Sequence, residues 1–226
     1  MRPRLLLAAE MLRSYHTVAD IGCDHGRLSV ALLQSFEVAR TVAVDVSAPS
    51  LEKAAWLANR TNLFERIDLR VGDGLSPLLE NEADAIAICG MGGMLIKEIL
   101  ESAQPPLRGA RRVVLQPMRG VSDIRKYLYT HGYRIIEDHV VRDAGRLYQI
   151  FAAELGKEDP LPAFWPQNCF SVGHKAMQDP AFSELIQNLL VQYQAKLAGA
   201  KGTRGEKILR EKVAQMQQIW EELICS

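Results

Sequence analysis

Short runs of β-branched and other apolar residues alternate with segments of helical periodicity along the first part of the chain. Four of these runs end in Asp or Gly and lead into such a segment, at 18–22, 41–45, 67–73 and 85–90. Strands that alternate with helices predict a parallel sheet covered by helices on both faces. The predicted fold class is therefore α/β.

The pattern continues with a strand at 112–116 and a helix at 123–129. Two further apolar runs, at 133–141 and 147–154, flank a short Asp-Ala-Gly turn at 143–145. So short a connection favours antiparallel pairing. We therefore expect these two strands to form an antiparallel pair at one edge of the sheet.

The composition and the hydrophobic pattern change after Glu154, where three prolines precede a region without a strand pattern. This change places a boundary between a domain at 1–158 and a tail at 159–226.

Two sets of apolar residues in the tail recur every three or four positions. They are Phe182, Ile186, Leu189, Tyr193 and Leu197, and then Leu209, Val213, Met216, Trp220 and Leu223. Asp179 and Pro180 are predicted to start the first helix as its N-cap and first-turn proline. Because the glycine-containing segment 199–205 separates the two patterns, the tail is predicted to be an α-helical hairpin, similar to a coiled coil.

The 226 residues are 48% hydrophobic and 24% charged, which excludes wholesale disorder. Basic and acidic residues number 27 each, so net charge gives no argument for nucleic acid or a membrane surface as partner. The four cysteines form no Cys-x-x-Cys pair, and Glu10 interrupts the apolar run near the start. We therefore expect reduced thiols, no metal site, no membrane span and a cytoplasmic location.

Residues 20–26, Asp-Ile-Gly-Cys-Asp-His-Gly, lie where the first strand turns into the first helix. In a doubly wound sheet this is the mouth of the ligand crevice. Gly22 would let the backbone approach a ligand closely, and Gly26 would let the turn pack against the sheet. Taken alone, the segment is equally typical of a purely structural turn.

Acidic residues also end the next two strands. Asp45 ends the second, where a carboxylate can accept both hydroxyls of a ribose, although it could also cap the next helix, a position that suits Ser47 better. Asp73, followed by Gly74, ends the third and can accept from the exocyclic amine of an adenine, with a tight turn as the alternative. Together with Asp20, these residues predict a site for a nucleoside cofactor.

The kind of cofactor follows from the motifs that are missing. The sequence has no G-x-x-x-x-G-K-[ST], and the dinucleotide pattern G-x-G-x-x-G fails because Asp24 stands where a glycine should face the pyrophosphate. Asp20 and Asp24 would repel phosphate but attract an ammonium and a sulfonium. The site therefore favours S-adenosylmethionine over NAD.

Residues 89–93, Cys-Gly-Met-Gly-Gly, follow the fourth strand. The glycines leave the backbone bare for a flat nucleobase or a cofactor tail, and Met91 offers a polarizable wall. The alternative is a flexible segment before a helix at Met94. The predicted cofactor-binding residues are Asp20, Gly22, Cys23, Gly26, Asp45, Asp73, Gly74, Cys89, Gly90 and Met91.

These motifs, together with Leu-Gln-Pro at 115–117, resemble those of the bacterial tRNA (adenine-22, nitrogen-1)-methyltransferases. The resemblance runs through about residues 4–155 and more loosely over the tail. It implies a class I Rossmann-like methyltransferase sheet, a C-terminal helical domain and transfer of a methyl group from S-adenosylmethionine to nitrogen-1 of adenine 22 in tRNA. Met118 departs from the family pattern, which has asparagine there.

Such a reaction mainly requires positioning, because nitrogen-1 of adenine has an in-plane lone pair. Base pairing hides that nitrogen, so the base must leave its stack. The candidate catalytic residues are Asp24, which would stabilise the cationic product, His25, which would bind the base or only brace the loop, and Gly92, which would leave space for the base.

Two zones of the chain are basic. Residues 108–146 contain nine basic and four acidic residues, and residues 196–212 contain six and two. Phosphate contacts and solvated helix faces both fit this pattern. The predicted tRNA-binding residues are Arg119, Arg125, Lys126, Lys201, Arg204, Lys207 and Arg210.

Two other functions fit the same residues. One is a class I methyltransferase for a small molecule or a protein, with the tail used for oligomerisation. The other is a nucleoside-sensing module whose hairpin binds a partner. The sequence points to no particular protein partner.

Overall fold

The computed structural model describes residues 1–157 and 159–225. Its strands are β1 (Thr17–Ile21), β2 (Arg40–Asp45), β3 (Ile67–Val71), β4 (Ala85–Gly92), β5 (Arg112–Arg119), β6 (Tyr133–Asp143) and β7 (Arg146–Leu155). They form one sheet with the order β3-β2-β1-β4-β5-β7-β6. The first five strands pair in parallel, and β7 pairs antiparallel with β5 and β6. The predicted parallel sheet with an antiparallel pair at one edge is confirmed.

Within the described residues, seven α-helices surround and extend this sheet. They are α1 (Pro3–Glu10), α2 (Arg27–Ser35), α3 (Ala48–Arg60), α4 (Gly93–Ser102), α5 (Val121–Thr130), α6 (Phe182–Gly199) and α7 (Gly205–Cys225). The side chain of Ser47 caps α3 by accepting from the N–H of Ser50, so the cap expected at Ser47 is confirmed.

The sheet separates two hydrophobic cores. Ile86 and Ile88 of β4 pack in the core that contains residues of α4 and α5, whereas Ala85 and Ala87 pack in the core that contains residues of α1, α2 and α3. Successive side chains of a strand point to opposite faces, so a strand covered on both faces reads as a continuous apolar run. The α/β class, with helices on both faces, is confirmed.

Strand β4 is longer than its apolar run predicts. Its pairing with β5 is irregular between Cys89 and Gly92, and Gly90 has a φ of +79°, in the left-handed region that favours glycine. The sequence indicates a strand that ends at Gly90. The glycines instead form a bulge that carries the strand two residues further, up to the start of α4.

The tail contains a third core, in which Phe182, Ile186, Met216 and Ile219 of α6 and α7 pack together. Residues 200–204 connect the two helices, and the predicted helical hairpin is confirmed. Coiled-coil packing of its seam stays a prediction. Val140 of β6 belongs to the same core, so the hairpin packs on the last strand of the sheet.

The start of α6 differs from the prediction. The helix begins at Phe182, two residues after Pro180, and Asp179 is not its N-cap. The Asp179 carboxylate accepts instead from the backbone N–H of Val140 at 2.7 Å and lies 3.1 Å from Nδ1 of His139. The physical reason is that β6 is the last strand and needs partners for its outward N–H groups. The boundary expected between 158 and 159 adjoins residue 158, which lies outside the described residues, and stays a prediction.

No helix within residues 1–157 and 159–225 is long and apolar enough to cross a membrane. The same part of the chain contains no group of three or more His, Cys, Asp or Glu side chains arranged to hold a metal ion.

Candidate functional site

A cavity of about 490 Å³ opens at the carboxyl ends of the central strands. It lies where β1 and β4 are neighbours and the strand order reverses, the topological switch point at which open α/β sheets bind ligands. Its volume falls within the range of small-molecule sites, about 300 to 1,000 Å³. The loop after β1, the end of β2, residues 72–74, the β4 bulge and α1 all contribute to its walls.

Two glycines shape the loop after β1. Gly22 has a φ of +69°, and a Cβ built there would lie 1.9 Å from Cε of Met91, so the Met91 side chain occupies the space that Gly22 leaves open. Gly26 has a φ of +66°, and its Cβ would lie 2.9 Å from Cβ of Ala54. Gly26 therefore lets the turn pack against α3, not against the sheet as the sequence suggested.

Asp20 lies beneath this loop with only 3% of its surface exposed. Its Oδ2 accepts hydrogen bonds from Oγ of Ser29 at 2.8 Å and from the Ser29 N–H at 3.2 Å, which fixes the first turn of α2. Burial raises the pKa of Asp20 to about 6, the Ser29 hydrogen bonds oppose that rise, and the charge of Asp45 adds to it. A cation in the cavity would favour the ionised form of Asp20.

Asp45 is held by two backbone groups. Its Oδ2 accepts from the N–H of Asp24 and its Oδ1 accepts from the N–H of Ser47, both at 2.9 Å. Each oxygen keeps a lone pair with which to accept from a ligand hydroxyl. Asp45 therefore both shapes the loop after β1 and offers acceptors in a fixed position. Asp73 lines the cavity with an exposed side chain.

Gln116 of β5 connects the glycine bulge to α1. Its fully buried side chain accepts, at Oε1, from the N–H of Gly90 at 3.2 Å and from Nη1 of Arg4 at 2.9 Å. This one amide oxygen thus bonds to two walls of the cavity, the β4 bulge and α1.

Two thiols, Cys23 and Cys89, lie in the cavity wall. Burial raises the pKa of Cys89 to about 12 and raises the pKa of Cys23 further still. Both thiols are neutral near pH 7 and contribute shape to the cavity.

A family model described as "Methyltransferase domain" matches residues 1–151. The chain belongs to this methyltransferase family. The tRNA (adenine(22)-N(1))-methyltransferase of Bacillus subtilis is 34% identical over 156 residues, which are 69% of this chain and 66% of that protein. A putative tRNA methyltransferase of Mycoplasma pneumoniae is 32% identical over 140 residues, 61% of this chain and 63% of that protein. The matched region thus spans about two thirds of the length of these curated relatives.

Solved structures of methyltransferases resemble the whole chain. A putative tRNA (m1A22) methyltransferase of Streptococcus pneumoniae, in complex with S-adenosyl-L-methionine, has a TM-score of 0.82 and 26% identity and covers 96% of this chain and 98% of its own. The B. subtilis m1A22 tRNA methyltransferase has a TM-score of 0.75 and 26% identity, with coverage of 99% and 97%. These comparisons confirm the family resemblance that the motifs carry.

Most of the predicted cofactor-binding residues of the methyltransferase domain meet in the cavity. Those that line it are Asp20, Gly22, Cys23, Asp45, Asp73, Gly74, Cys89, Gly90 and Met91. Gly26 is not among the lining residues and acts on the loop from behind, through its contact with Ala54.

The three candidate catalytic residues of the methyltransferase lie at different places. Asp24 and His25 line the cavity at its rim, with 3.4 Å between Oδ1 of Asp24 and Nε2 of His25, and the Asp24 side chain is 72% exposed. Gly92 is not among the lining residues, and a Cβ there would come no closer than 3.5 Å to Arg119. A Cβ on Gly93 would lie 2.7 Å from the carbonyl oxygen of Gly120, so close packing requires glycine at 93.

Sequence reasoning missed Arg4, which lines the cavity from α1. Besides Gln116, its guanidinium contacts Asp143, with Nε 3.0 Å from Oδ2, and the Tyr148 ring, 5.2 Å from the centroid. Sδ of Met118, the residue that departs from the family pattern, lies 3.1 Å from its Nη1. These partners are more than 110 positions away in sequence, so no local signal marks Arg4 as part of a site.

The structure corrects one predicted tRNA contact of the methyltransferase. Arg125 is 4% exposed, donates to both oxygens of Asp138 at 2.7 and 2.6 Å and lies over the Phe151 ring. It is unavailable to phosphate because it neutralises a buried carboxylate. The other predicted residues are exposed: Arg119, Lys126, Lys201, Arg204, Lys207 and Arg210. Of these, Arg210 pairs with Glu206 on the same helix.

Proposed function

We propose that this chain is an S-adenosylmethionine-dependent tRNA methyltransferase that acts on nitrogen-1 of adenine 22. The observation that carries the proposal is the meeting of three carboxylates in one cavity at the switch point: Asp20 near the end of β1, Asp45 at the end of β2 and Asp73 just after β3. The proposed substrate is the one for which the similar proteins are named. The structural likeness to them, which extends over the tail, supports this choice.

The residues of the cavity fit S-adenosylmethionine. Asp45 has fixed acceptors suited to the ribose hydroxyls, and Asp73 lies at the rim, where it can accept from the adenine amine. Asp20 supplies negative charge for the ammonium group, and the open backbone at Gly90 lets a ligand approach closely. When bound, S-adenosylmethionine supplies an electrophilic methyl group on a sulfonium.

The protein's own contribution to the reaction is to position the base. The target adenine must leave its stack and enter the crevice with its nitrogen-1 lone pair facing the methyl donor. In this proposal Asp24 stabilises the positive charge that develops on the adenine, and His25, which pairs with Asp24, orients it or contacts the base. Gly92, at the end of the bulge beside Arg119, leaves the base room to enter.

The tRNA body contacts exposed basic residues in this proposal. Arg119 and Lys126 lie on the methyltransferase domain, and Lys201, Arg204 and Lys207 lie around the connection of the hairpin. We place the reaction in the cytoplasm, because all four cysteines are free thiols.

The test is methylation of unmodified tRNA transcripts with S-adenosylmethionine, with mass spectrometry to map the product. We expect methyl-adenine at position 22 and no product when a guanine replaces that adenine. Asp45→Ala should weaken S-adenosylmethionine binding by at least about 10-fold in calorimetric titration, because acceptors for two hydroxyl groups are lost.

The matched control is Glu80→Ala, an exposed acidic residue outside the cavity, which should bind like the parent. Methylation at another position, or of a small molecule or protein instead of tRNA, would overturn the substrate assignment. Unchanged affinity in Asp45→Ala would remove Asp45 from the site.

A further inference from the structure

The outer face of α3 presents an aromatic side chain to solvent. Trp56 is 59% exposed, and the guanidinium carbon of Arg60 lies 4.7 Å from the centroid of its ring. The opposite face of the helix is buried through Leu51, Ala54 and Ala58. The core therefore does not need Trp56, and the stacked Arg60 holds its ring in place at the surface.

A second cavity adjoins this face. It has a volume of about 560 Å³, and its lining residues include Lys53 and Trp56 of α3 together with His25 and Arg27. His25 and Arg27 also line the crevice at the switch point, so the two cavities share one rim. The junction is close because Gly26, between them, packs directly on Ala54 of α3.

The face is basic. Arg27, Lys53 and Arg60 surround Trp56, with Glu52 as the acidic residue among them. Within the described part of the chain, none of these three cations lies within ion-pair distance of a carboxylate. Cations without acidic partners beside an exposed aromatic ring match the stacking and charge requirements of single-stranded nucleic acid.

We propose that Trp56 is a stacking platform for an unpaired nucleotide of the tRNA next to the target adenine, with Arg27 and Lys53 on its phosphates. The proposal rests on the tRNA methyltransferase function proposed above. A flipped adenine that enters the crevice at the rim of His25 and Arg27 brings its neighbouring nucleotides to this rim. The adjoining base then finds the Trp56 ring and the adjoining phosphates find the cations. A folded protein partner would instead require an apolar area larger than one ring among charges.

The first test is steady-state methylation of unmodified tRNA transcript. Trp56→Ala should raise the KM for tRNA about 10-fold, with kcat and S-adenosylmethionine affinity close to those of the parent. Trp56→Phe keeps a ring and should retain most of the affinity. Leu79→Ala, which truncates another exposed apolar residue outside both cavities, is the control and should resemble the parent.

The second test does not depend on turnover. Binding of tRNA transcript should quench tryptophan fluorescence in the parent, and Trp56→Phe should lose most of that quenching. Of the two other tryptophans, Trp165 is buried at 3% exposure and Trp220 is half-buried against the core of the tail. If the parent binds tRNA with the same quenching and KM as Trp56→Phe and Trp56→Ala, the platform is excluded. If Trp56→Ala changes sedimentation and not tRNA affinity, the face is a contact between copies of this chain and the proposal is wrong. If the parent methylates no tRNA, the proposed function fails, and the quenching titration still decides whether Trp56 contacts RNA.

Discussion

Asp20 binds a proton more readily in the folded chain than in the unfolded chain, because burial raises its pKa from 3.8 to about 6. Between these two values the folded state keeps a proton that the unfolded state releases. The contribution of Asp20 to the free energy of unfolding therefore falls as pH rises from about 4 to 6 and is constant above that interval. A cationic ligand in the cavity favours the carboxylate, so ligand binding below pH 6 must release a proton.

We therefore predict that S-adenosylmethionine affinity rises from pH 5 to pH 7 and then levels off. Asp20→Asn should bind more weakly at pH 7 and lose most of this pH dependence, while its amide oxygen still accepts from Ser29. Calorimetry in two buffers of different ionisation enthalpy would measure the proton release directly. An unchanged pH profile in the variant would assign the titration to another group.

The residues that sequence reasoning placed well are those whose role is local. Asp45 ends an apolar run and Asp20 lies near the end of another, so their position at the carboxyl ends of the strands follows from the strand pattern alone. Arg4 and Arg125 were beyond that reasoning, because Gln116 and Asp143 lie far from Arg4 in sequence and Asp138 lies on a different element from Arg125. The sequence alone does not distinguish a basic residue that faces solvent from one that neutralises a buried acid.

At the scale of elements, strands and helices could be predicted because their apolar periodicity is continuous. The bulge in β4 could not, because it depends on pairing with β5 and on the N–H of Gly90 reaching Gln116. The same limit applies to the start of α6, where Asp179 has a capping sequence but its carboxylate bonds to β6. Predictions from local sequence failed where a backbone N–H group on another element bonded to the side chain concerned.

The connection of the helical hairpin carries the basic residues that we expect to contact tRNA phosphates. Lys201, Arg204 and Lys207 are exposed, and Arg210 is exposed although it pairs with Glu206. The variant with all four changed to Ala should bind tRNA more weakly, with a slope of log affinity against log salt that is shallower by about 0.7 to 0.9 for each lost phosphate contact. A filter-binding titration at several salt concentrations would measure both effects.

Arg111→Ala is the control for this variant, because Arg111 precedes β5 at the opposite end of the sheet from the crevice and pairs with Asp84. It should bind like the parent at every salt concentration. If the fourfold variant also behaves like the parent, the hairpin is a structural element, and Arg119, Lys126 and the face around Trp56 carry the RNA.

At the scale of the whole molecule, the tail and the sheet are joined by polar contacts as well as by the third core. Lys175 donates to the carbonyl oxygen of Ile135, Asp179 accepts from the N–H of Val140, and Arg142 pairs with Glu184. All three contacts involve β6. The sheet and the tail, which the proline-rich segment separates in sequence, thus stabilise each other.

Asp179→Ala should lower the free energy of unfolding by about 1 to 3 kcal/mol, because it leaves the Val140 N–H without its acceptor. Denaturant unfolding followed by circular dichroism would measure the loss. Glu184→Ala removes an exposed ion pair to the same strand and should cost less than about 1 kcal/mol. Equal stability in both variants would show that Asp179 contributes no more to the docking of the tail than a surface pair.

The position of β6 has a further consequence for how this chain behaves in a crowded cell. A border strand with open backbone groups is a template on which another molecule can add a strand, and such templates nucleate aggregates. Here Lys175 and Asp179 of the tail bond to that border with side chains, which cannot propagate a ladder. The segment leading to the hairpin therefore also protects the edge of the sheet from aggregation. A substitution that loosens this segment would first reduce the amount of non-aggregated protein. Such a substitution would resemble a loss of function even if every residue that lines the cavity were intact.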